Sequence, residues 1–549
     1  MSVNRSLIFV KNAEIYISTA FVHKIQNLSE GFCLCRYFFL FGNRFSVLAA
    51  AYTDKQKEGI YVKPVALNFL CVFTAVLFAA SMFASCKKKD GSANSGKNGS
   101  AESRQEEGEL FSDVPSGSYK GYSFNILNAR VGSEATAMVA GELEEGDSLN
   151  EALARRNMNV EERLDIEISE VRDTPKAVYE KTAAAVLAGD KTYDAVWNSA
   201  SYMSGLAVSG YLVAGDSIPG LDFSKPWWLA DATDDACADT GRYLMFGDLQ
   251  MSYFDGHSMV AVNMSAVRDN DSLPDPYTLV DNGAWTVDKM LEMMISASYD
   301  ADGNGIATWE DMYGTAVVGG EILPLMYGAG QRCSRTDEMG LPYVDIFDSD
   351  PFYTAFSKLS EKLYSGSSYV YDAKHSSDGI SPAGMFKSGH ALFFIGTLGD
   401  LEGLRDMESE IAVLPIPKGS AAQKEYVSFV SGTAAALGVP TSAQNLSRTG
   451  TVLENLCAES YRSDGLWERY TGETLAFKYV DDERSGENIK HILASGTVDP
   501  AEIFDWGGIN EALADLTWNC TAYSSTLAAL RDSAQNDTLD SLEKLLDNG

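Results

Sequence analysis

The chain is poor in histidine, cysteine and basic charge. Five His in 549 residues leave little material for imidazole chemistry. None sits in HExxH or another zinc-ligand spacing. The eight Cys include no CxxC pair, so a thioredoxin-like or zinc-ribbon reading is excluded. There is no GxSxG elbow, no P-loop and no GxGxxG after a strand, which removes the commonest hydrolase, NTPase and dinucleotide signatures. No internal repeat suggests a solenoid or adhesin array. Lys and Arg number 43 against 77 Asp and Glu, a formal net charge of −34. Sequence-independent nucleic-acid binding needs clustered cations to displace counterions, so that class is excluded too. So is a protein body that lies on anionic lipid. What is present is core material. The chain is 45% hydrophobic and 11% aromatic, enough for real cores and too long for one ordinary domain.

One segment stands apart. Val65 to Ser85 is uncharged and mostly apolar, with Lys63 before it and Cys86 directly after. A basic residue, an apolar stretch and small residues before a cut make a secretory leader. Phe83-Ala84-Ser85-Cys86 resembles a bacterial lipobox, in which the Cys thiol receives a diacylglyceryl group. About 20 apolar residues can also span a bilayer, so a retained helix is the alternative. Lys87, Lys88 and Lys89 favour the lipoprotein, because a basic cluster outside opposes the positive-inside rule. Both readings put the remaining chain outside the cytoplasm, as a membrane-anchored protein. Translation is expected to begin near Val62. Residues 1–85 are then upstream sequence plus signal peptide. The rest carries 35 basic and 73 acidic residues, a net of −38.

Downstream of Cys86 only Cys237, Cys333, Cys457 and Cys520 remain, too sparse for a disulfide framework. Asp90 to Asp113 is rich in Gly, Ser and Glu with almost no apolar residue, and reads as a flexible tether. It reaches roughly 25–30 Å, and with Cys86 it belongs to the segment 86–117.

Beyond Gly121 the pattern becomes regular. Tyr122–Leu127 alternates like a strand and ends at Asn128-Ala129-Arg130. Asn150–Leu164 is an amphipathic helix, Asp165–Val171 a second strand, and Lys176–Ala188 a helix stopped by Gly189. Tyr193–Trp197 is a third strand. Alternating strand and helix predicts an α/β layer on a mainly parallel sheet.

The pieces that follow, in their order, resemble extracellular solute-binding proteins of the carbohydrate, maltose-binding-like family that serve ABC importers. They are Gly189–Trp197 (GDKTYDAVW), Gly210–Val213 (GYLV), Met245–Asn263, Asp275–Met290, Met385–Asp400, Ile411–Lys418 (IAVLPIPK) and Val427–Pro440. The match covers 118–549. It implies a type II periplasmic-binding fold, two α/β lobes joined by a hinge that close on a ligand at the strand ends. The implied division is 118–258 in lobe 1, 259–384 in lobe 2, 385–432 returning to lobe 1, and 433–549 as C-terminal helices of lobe 2. The resemblance also implies a monomer that binds a carbohydrate, without enzymatic activity of its own. Permease subunits with a separate ATPase would be its partners.

Sugars present apolar faces and a rim of hydroxyls, which suits flat aromatics beside polar groups. The ligand-binding candidates are therefore Asn128 and Arg130 after the first strand, and Trp197 and Asn198 at the end of the third. Asp248, Tyr253 and Asp255 before the inferred crossing, and Trp506, complete the set. For each Trp, core packing is the competing reading. Asp300-Ala-Asp302-Gly-Asn304-Gly305-Ile306, with Asp311 at position twelve, fits a Ca²⁺ loop. Asp300, Asp302, Asn304 and Asp311 would supply side-chain oxygens and Ile306 its carbonyl. Asp311 replaces the usual bidentate Glu, and a metal-free Asx turn is the alternative. A glycoside hydrolase needs only two carboxylates and no local motif, so it remains the rival, with a carbohydrate-binding adhesin behind it.

Overall fold

Short polar residues start the first two helices of the globular part and left-handed residues stop them. Asp147 accepts the Asn150 N–H at 3.1 Å and opens α1, Ser148–Leu164, which Asp165 closes at φ 54°. Thr174 caps α2, Pro175–Ala188, with Pro175 in its first turn and Gly189 at φ 65° after its last. The computed structural model describes residues 9–11, 14–16, 113–129, 137–140, 147–237, 240–337, 341–480 and 482–548. Cys86, the leader, most of the tether and Arg130 lie outside the described residues. The chain divides into two compact units, 3–104 and 105–549, the latter with residues 1 and 2. Within the first, Phe9–Lys11 pairs antiparallel with Glu14–Tyr16. Among the described residues no helix is long and apolar enough to cross a membrane.

The second unit holds two five-stranded sheets. In the first lobe these are β1 (Tyr122–Ala129), β2 (Ile166–Asp173), β3 (Ala195–Ser199), β4 (Leu212–Val213) and β11 (Ala435–Pro440). They lie in the order β2-β1-β3-β11-β4. The second lobe carries β5 (Ser258–Asn263), β6 (Tyr313–Val317), β7 (Val370–Asp372), β8 (Ala391–Thr397) and β9 (Ile411–Pro415), ordered β7-β6-β8-β5-β9. Strands β1, β2 and β3 are parallel, as are β6, β7 and β8. Strands β11 and β5 run antiparallel to both their neighbours. Each sheet therefore reads second, first, third, visitor, fourth, where the visitor is the strand that follows a crossing between lobes. This is the type II periplasmic-binding arrangement of two α/β lobes.

The segments between crossings differ from the expected ones. Residues 391–415 form β8 and β9 of the second sheet and do not return to lobe 1. The return comes later, at β11, and the helix Leu446–Tyr461 that follows packs on α1 in the first lobe. The reason is packing. Phe393 lies 5.6 Å from the ring of buried Trp285, whose indole N–H bonds the Pro415 carbonyl at 2.8 Å, so both strands are fastened to the second core. The C-terminal helix Tyr523–Asn548 belongs to neither lobe alone. Arg531 pairs with Asp348 at 2.7 Å in the second lobe, and the Leu545 carbonyl accepts the Tyr243 hydroxyl at 2.6 Å in the first.

The hinge joins through β10 (Ser428–Phe429), parallel to β12 (Gly496–Thr497). A Cβ on Gly256 would stand 2.9 Å from the Ala434 methyl, so the two crossings meet only because residue 256 lacks a side chain. Glu502 closes the joint, accepting the Gly432 N–H at 2.7 Å and the Ser431 hydroxyl at 3.2 Å. Burial raises its pKa to about 7, helped by Asp499 and Asp505 and opposed by those two hydrogen bonds. The native state thus holds this proton more tightly than the unfolded chain does. The resulting stabilisation is complete below pH 4.5 and is lost as pH rises through about 7, on the order of 3 kcal/mol. Glu502→Gln is expected to flatten the fall of Tm between pH 5 and pH 8 relative to the unmodified protein. Parallel thermal melts check this, and an identical slope in both proteins would refute it.

Candidate functional site

Parallel strands end together, and their carboxyl ends form a crevice where the strand order reverses. In the first lobe β1 and β3 end at Ala129 and Ser199, beside the start of β11 at Ala435. In the second, β8 ends at Thr397 opposite the start of β5 at Ser258. At the end of β8, against the two crossings, lies a cavity of about 560 Å³. Its walls include Ser252 and Asp255 from the first crossing, Thr433 from the return crossing, and Lys387, Thr397 and Asp400 from the second lobe. The second lobe and both crossings thus contribute polar groups to one space.

Local structure fixes the wall groups. Asp400 accepts both the Thr397 N–H at 2.8 Å and the Thr397 hydroxyl at 3.0 Å, a capping interaction that starts the turn after β8. Lys387, in the helix Pro382–Lys387, donates to the Gly403 carbonyl at 2.9 Å and ties that helix to the same turn. Asp255 is 4% exposed, and a Cβ on Gly399 would come within 3.1 Å of the Asp255 Cβ. The hinge carboxylate and the second-lobe turn are therefore in direct apposition.

Of the residues expected to bind ligand, Asp255 lines the cavity. Asn128 lies behind the wall, fully buried, donating to Glu170 at 2.5 Å and accepting from Gln250 at 3.1 Å. The other candidates among the described residues are placed elsewhere. Trp197 pairs with Leu437 across the sheet and packs in the first-lobe core with Trp227 and Trp228. Asn198 spends its amide on the Pro175 carbonyl and the Ser199 N–H, both at 2.8 Å, and so fixes the starts of two helices. Asp248 is buried, its N–H on the Trp227 carbonyl at 3.0 Å. Tyr253 is enclosed by Phe246, Phe254 and His257, with ring centroids 4.8–5.5 Å away. Trp506 is 1% exposed and stacks on Phe504 in the second-lobe core. For Trp197 the cause is that a strand of an α/β sheet is covered on both faces, so a Trp at its end points into a core as readily as into a cleft; Tyr253 and Trp506 sit on single helical turns whose rings pack inward. Ser252, Lys387, Thr397, Asp400 and Thr433 were missed. The Thr-x-x-Asp cap at 397–400 was the one local signal available.

The Asp-rich loop is built as a tight turn. Asp300 accepts N–H groups of Gly303 at 2.8 Å and Gly305 at 2.7 Å, and Asp311 those of Ala301 at 3.0 Å and Thr308 at 2.8 Å. Gly303 and Gly305 take φ of 70° and 75°. Carboxylate oxygens of Asp300, Asp302 and Asp311 fall within 4.8 Å of one another. The Gly305 N–H holds the Asp300 carboxyl below the usual carboxylate range. Asn304 turns its amide oxygen to the Ile306 N–H at 2.6 Å. The four cysteines in the described residues are free thiols.

No family model matches the sequence, and no curated protein does. Solved structures are similar over about three quarters of the chain. An ABC substrate-binding protein of Listeria monocytogenes, in complex with cycloalternan, is 13% identical, covers 77% of this chain and 98% of its own, and has a TM-score of 0.48. The maltose/maltodextrin-binding domain MalE of Bdellovibrio bacteriovorus, bound to maltotriose, is 12% identical over 77% of this chain and 100% of its own, with a TM-score of 0.47. The GacH receptor of Streptomyces glaucescens is 15% identical over 78% and 99%, with a TM-score of 0.46.

Trp506→Ala is expected to destabilise the protein by about 3–5 kcal/mol through the cavity it leaves, without weakening any ligand bound between the lobes. Denaturant unfolding and calorimetry on the folded fraction check both halves. A lost affinity with unchanged stability would return Trp506 to the site.

Proposed function

We propose that this protein is an extracytoplasmic receptor that captures a carbohydrate between its two lobes and delivers it to ABC permease subunits energised by a separate ATPase. The observation that carries the reading is the cavity of about 560 Å³ at the hinge, walled by hydroxyl, carboxylate and ammonium groups from the second lobe and both crossings. A polyol engages such a rim through many hydrogen bonds at once, and a ligand touching both lobes favours the closed arrangement by its differential affinity. The leader-like Val65–Ser85 and Cys86 support a lipid anchor on the outer face of the cell membrane. The acidic body supports binding of a small molecule rather than nucleic acid.

A thermal-shift screen over glucose, mannose, galactose, maltotriose and mannotriose tests this, since a ligand of the native state alone raises Tm in proportion to its occupancy. At 100 times Kd the gain is about 2.7 kcal/mol. Chromatography of the recovered sugar should show it intact. Cleavage over hours would assign the protein to glycoside hydrolysis instead, using carboxylates such as Asp255 and Asp400. No shift with any sugar would overturn the reading.

We further propose that the 300–311 loop holds a structural Ca²⁺ through Asp300, Asp302, Asn304, Asp311 and the Ile306 carbonyl. The support is the twelve-residue pattern and the convergence of three carboxylates. Millimolar Ca²⁺ should raise Tm by several degrees over excess chelator, and Asp302→Asn should abolish the difference. Equal melting in both conditions would refute the site.

A further inference from the structure

Ser252 lines the cavity, but its hydroxyl proton is already committed. It donates to the Gln250 side-chain oxygen. The Gln250 amide donates to Asn128 Oδ1 at 3.1 Å, and Asn128 Nδ2 donates to Glu170 Oε1 at 2.5 Å. A carboxylate can only accept, so the direction of every bond in this chain is dictated from its Glu170 end. Asn128 must turn its amide nitrogen to Glu170. Its oxygen then faces Gln250, which must present nitrogen there and oxygen to Ser252. The Ser252 hydroxyl becomes the donor to Gln250, and only its lone pairs remain for the cavity.

The relay is built into the core. Asn128, Gln250 and Ser252 are at most 4% exposed, and the Glu170 side chain is 5% exposed. Glu170 is held in place by the N–H groups of Met138 and Val139 at 3.0–3.2 Å. Across the cavity the second lobe repeats the polarity independently, because the Thr397 hydroxyl is committed to Asp400 at 3.0 Å.

We infer that Glu170, which does not touch the cavity, is a positioning residue that makes Ser252 an obligate acceptor, so that the site selects a polyol by the hydroxyl protons it donates. This rests on the carbohydrate reading of the cavity given above. At the Ser252 position a carboxylate acceptor in place of a hydroxyl donor is rejected.

The test uses deoxy and deoxyfluoro forms of whichever of glucose, mannose, galactose, maltotriose or mannotriose binds, measured by calorimetry on the full chain. Fluorine keeps the dipole and size of a hydroxyl but cannot donate. At one sugar position both analogues should bind about tenfold more weakly than the parent. In Ser252→Ala the parent and the fluoro sugar should become equal at that position alone. In Glu170→Gln the terminal amide can itself donate, the chain can reverse, and Ser252 regains freedom to donate. The fluoro penalty at that position should then shrink several-fold, while penalties at other positions stay fixed. Should Glu170→Gln fail to fold, Gln250→Leu cuts the relay nearer the cavity and should give the same selective change. A uniform loss across all analogues would reduce Glu170 to a structural role and overturn the inference. So would an unchanged fluoro penalty at the Ser252 position. Failure of every parent sugar to bind would instead overturn the carbohydrate reading and this inference with it.

Discussion

The fold depends on the visitor strand at the heart of each sheet. Strand β5 enters the second sheet antiparallel between β8 and β9, and β11 enters the first between β3 and β4. A strand hydrogen-bonded on both sides cannot leave its sheet without exposing two ladders, and each unpaired buried group costs on the order of 1–3 kcal/mol. The segments that lead into these strands, 252–257 and 428–434, are therefore the fixed points about which the lobes are arranged. The close meeting of Gly256 and Ala434 follows from that exchange. So does the cavity, which opens where the carboxyl end of β8 faces the crossings.

Several buried carboxylates act as organisers of this joint. Glu502 gathers the backbone at 431–432, and Glu170 gathers the loop at 138–139 together with Asn128. Glu454, likewise buried, accepts both indole N–H groups of Trp227 and Trp228, at 3.0 and 2.8 Å, and fastens the helix Leu446–Tyr461 to the first lobe. A buried acid surrounded by donors is satisfied only in one arrangement, so these groups specify geometry more than they add stability. The strongly acidic composition is accordingly not all surface charge.

The early elements of the chain were legible because local signals agreed. Caps, a Pro at the start of α2 and a Gly after it bracket an apolar period, and the observed ends fall within a residue or two of the expected ones. The assignment of Ala391–Thr397 and Ala435–Pro440 to their sheets was not legible. Both are short apolar strands buried on each face, and nothing in such a run states which neighbour it pairs with. The ligand candidates divided the same way. Asp255, carried on the crossing segment, lines the cavity, whereas Trp197, Tyr253 and Trp506, chosen for their chemistry, are packed in cores.

By itself the sequence determined the class of the globular part: an alternating α/β body in a chain of net acidic charge. It also determined the tight geometry of the 300–311 loop, because Asp, Asn and Gly at fixed offsets close such turns through their own backbone bonds. Only the tertiary structure decided which strand visits which sheet and which polar groups meet across the cleft. It also decided which way the hydrogen bonds run from Glu170 to Ser252. The difference is one of range. Turns and caps are settled by residues a few positions apart, whereas Glu170 and Ser252 acquire a shared chemistry only after the chain has folded through Asn128 on one strand and Gln250 before another.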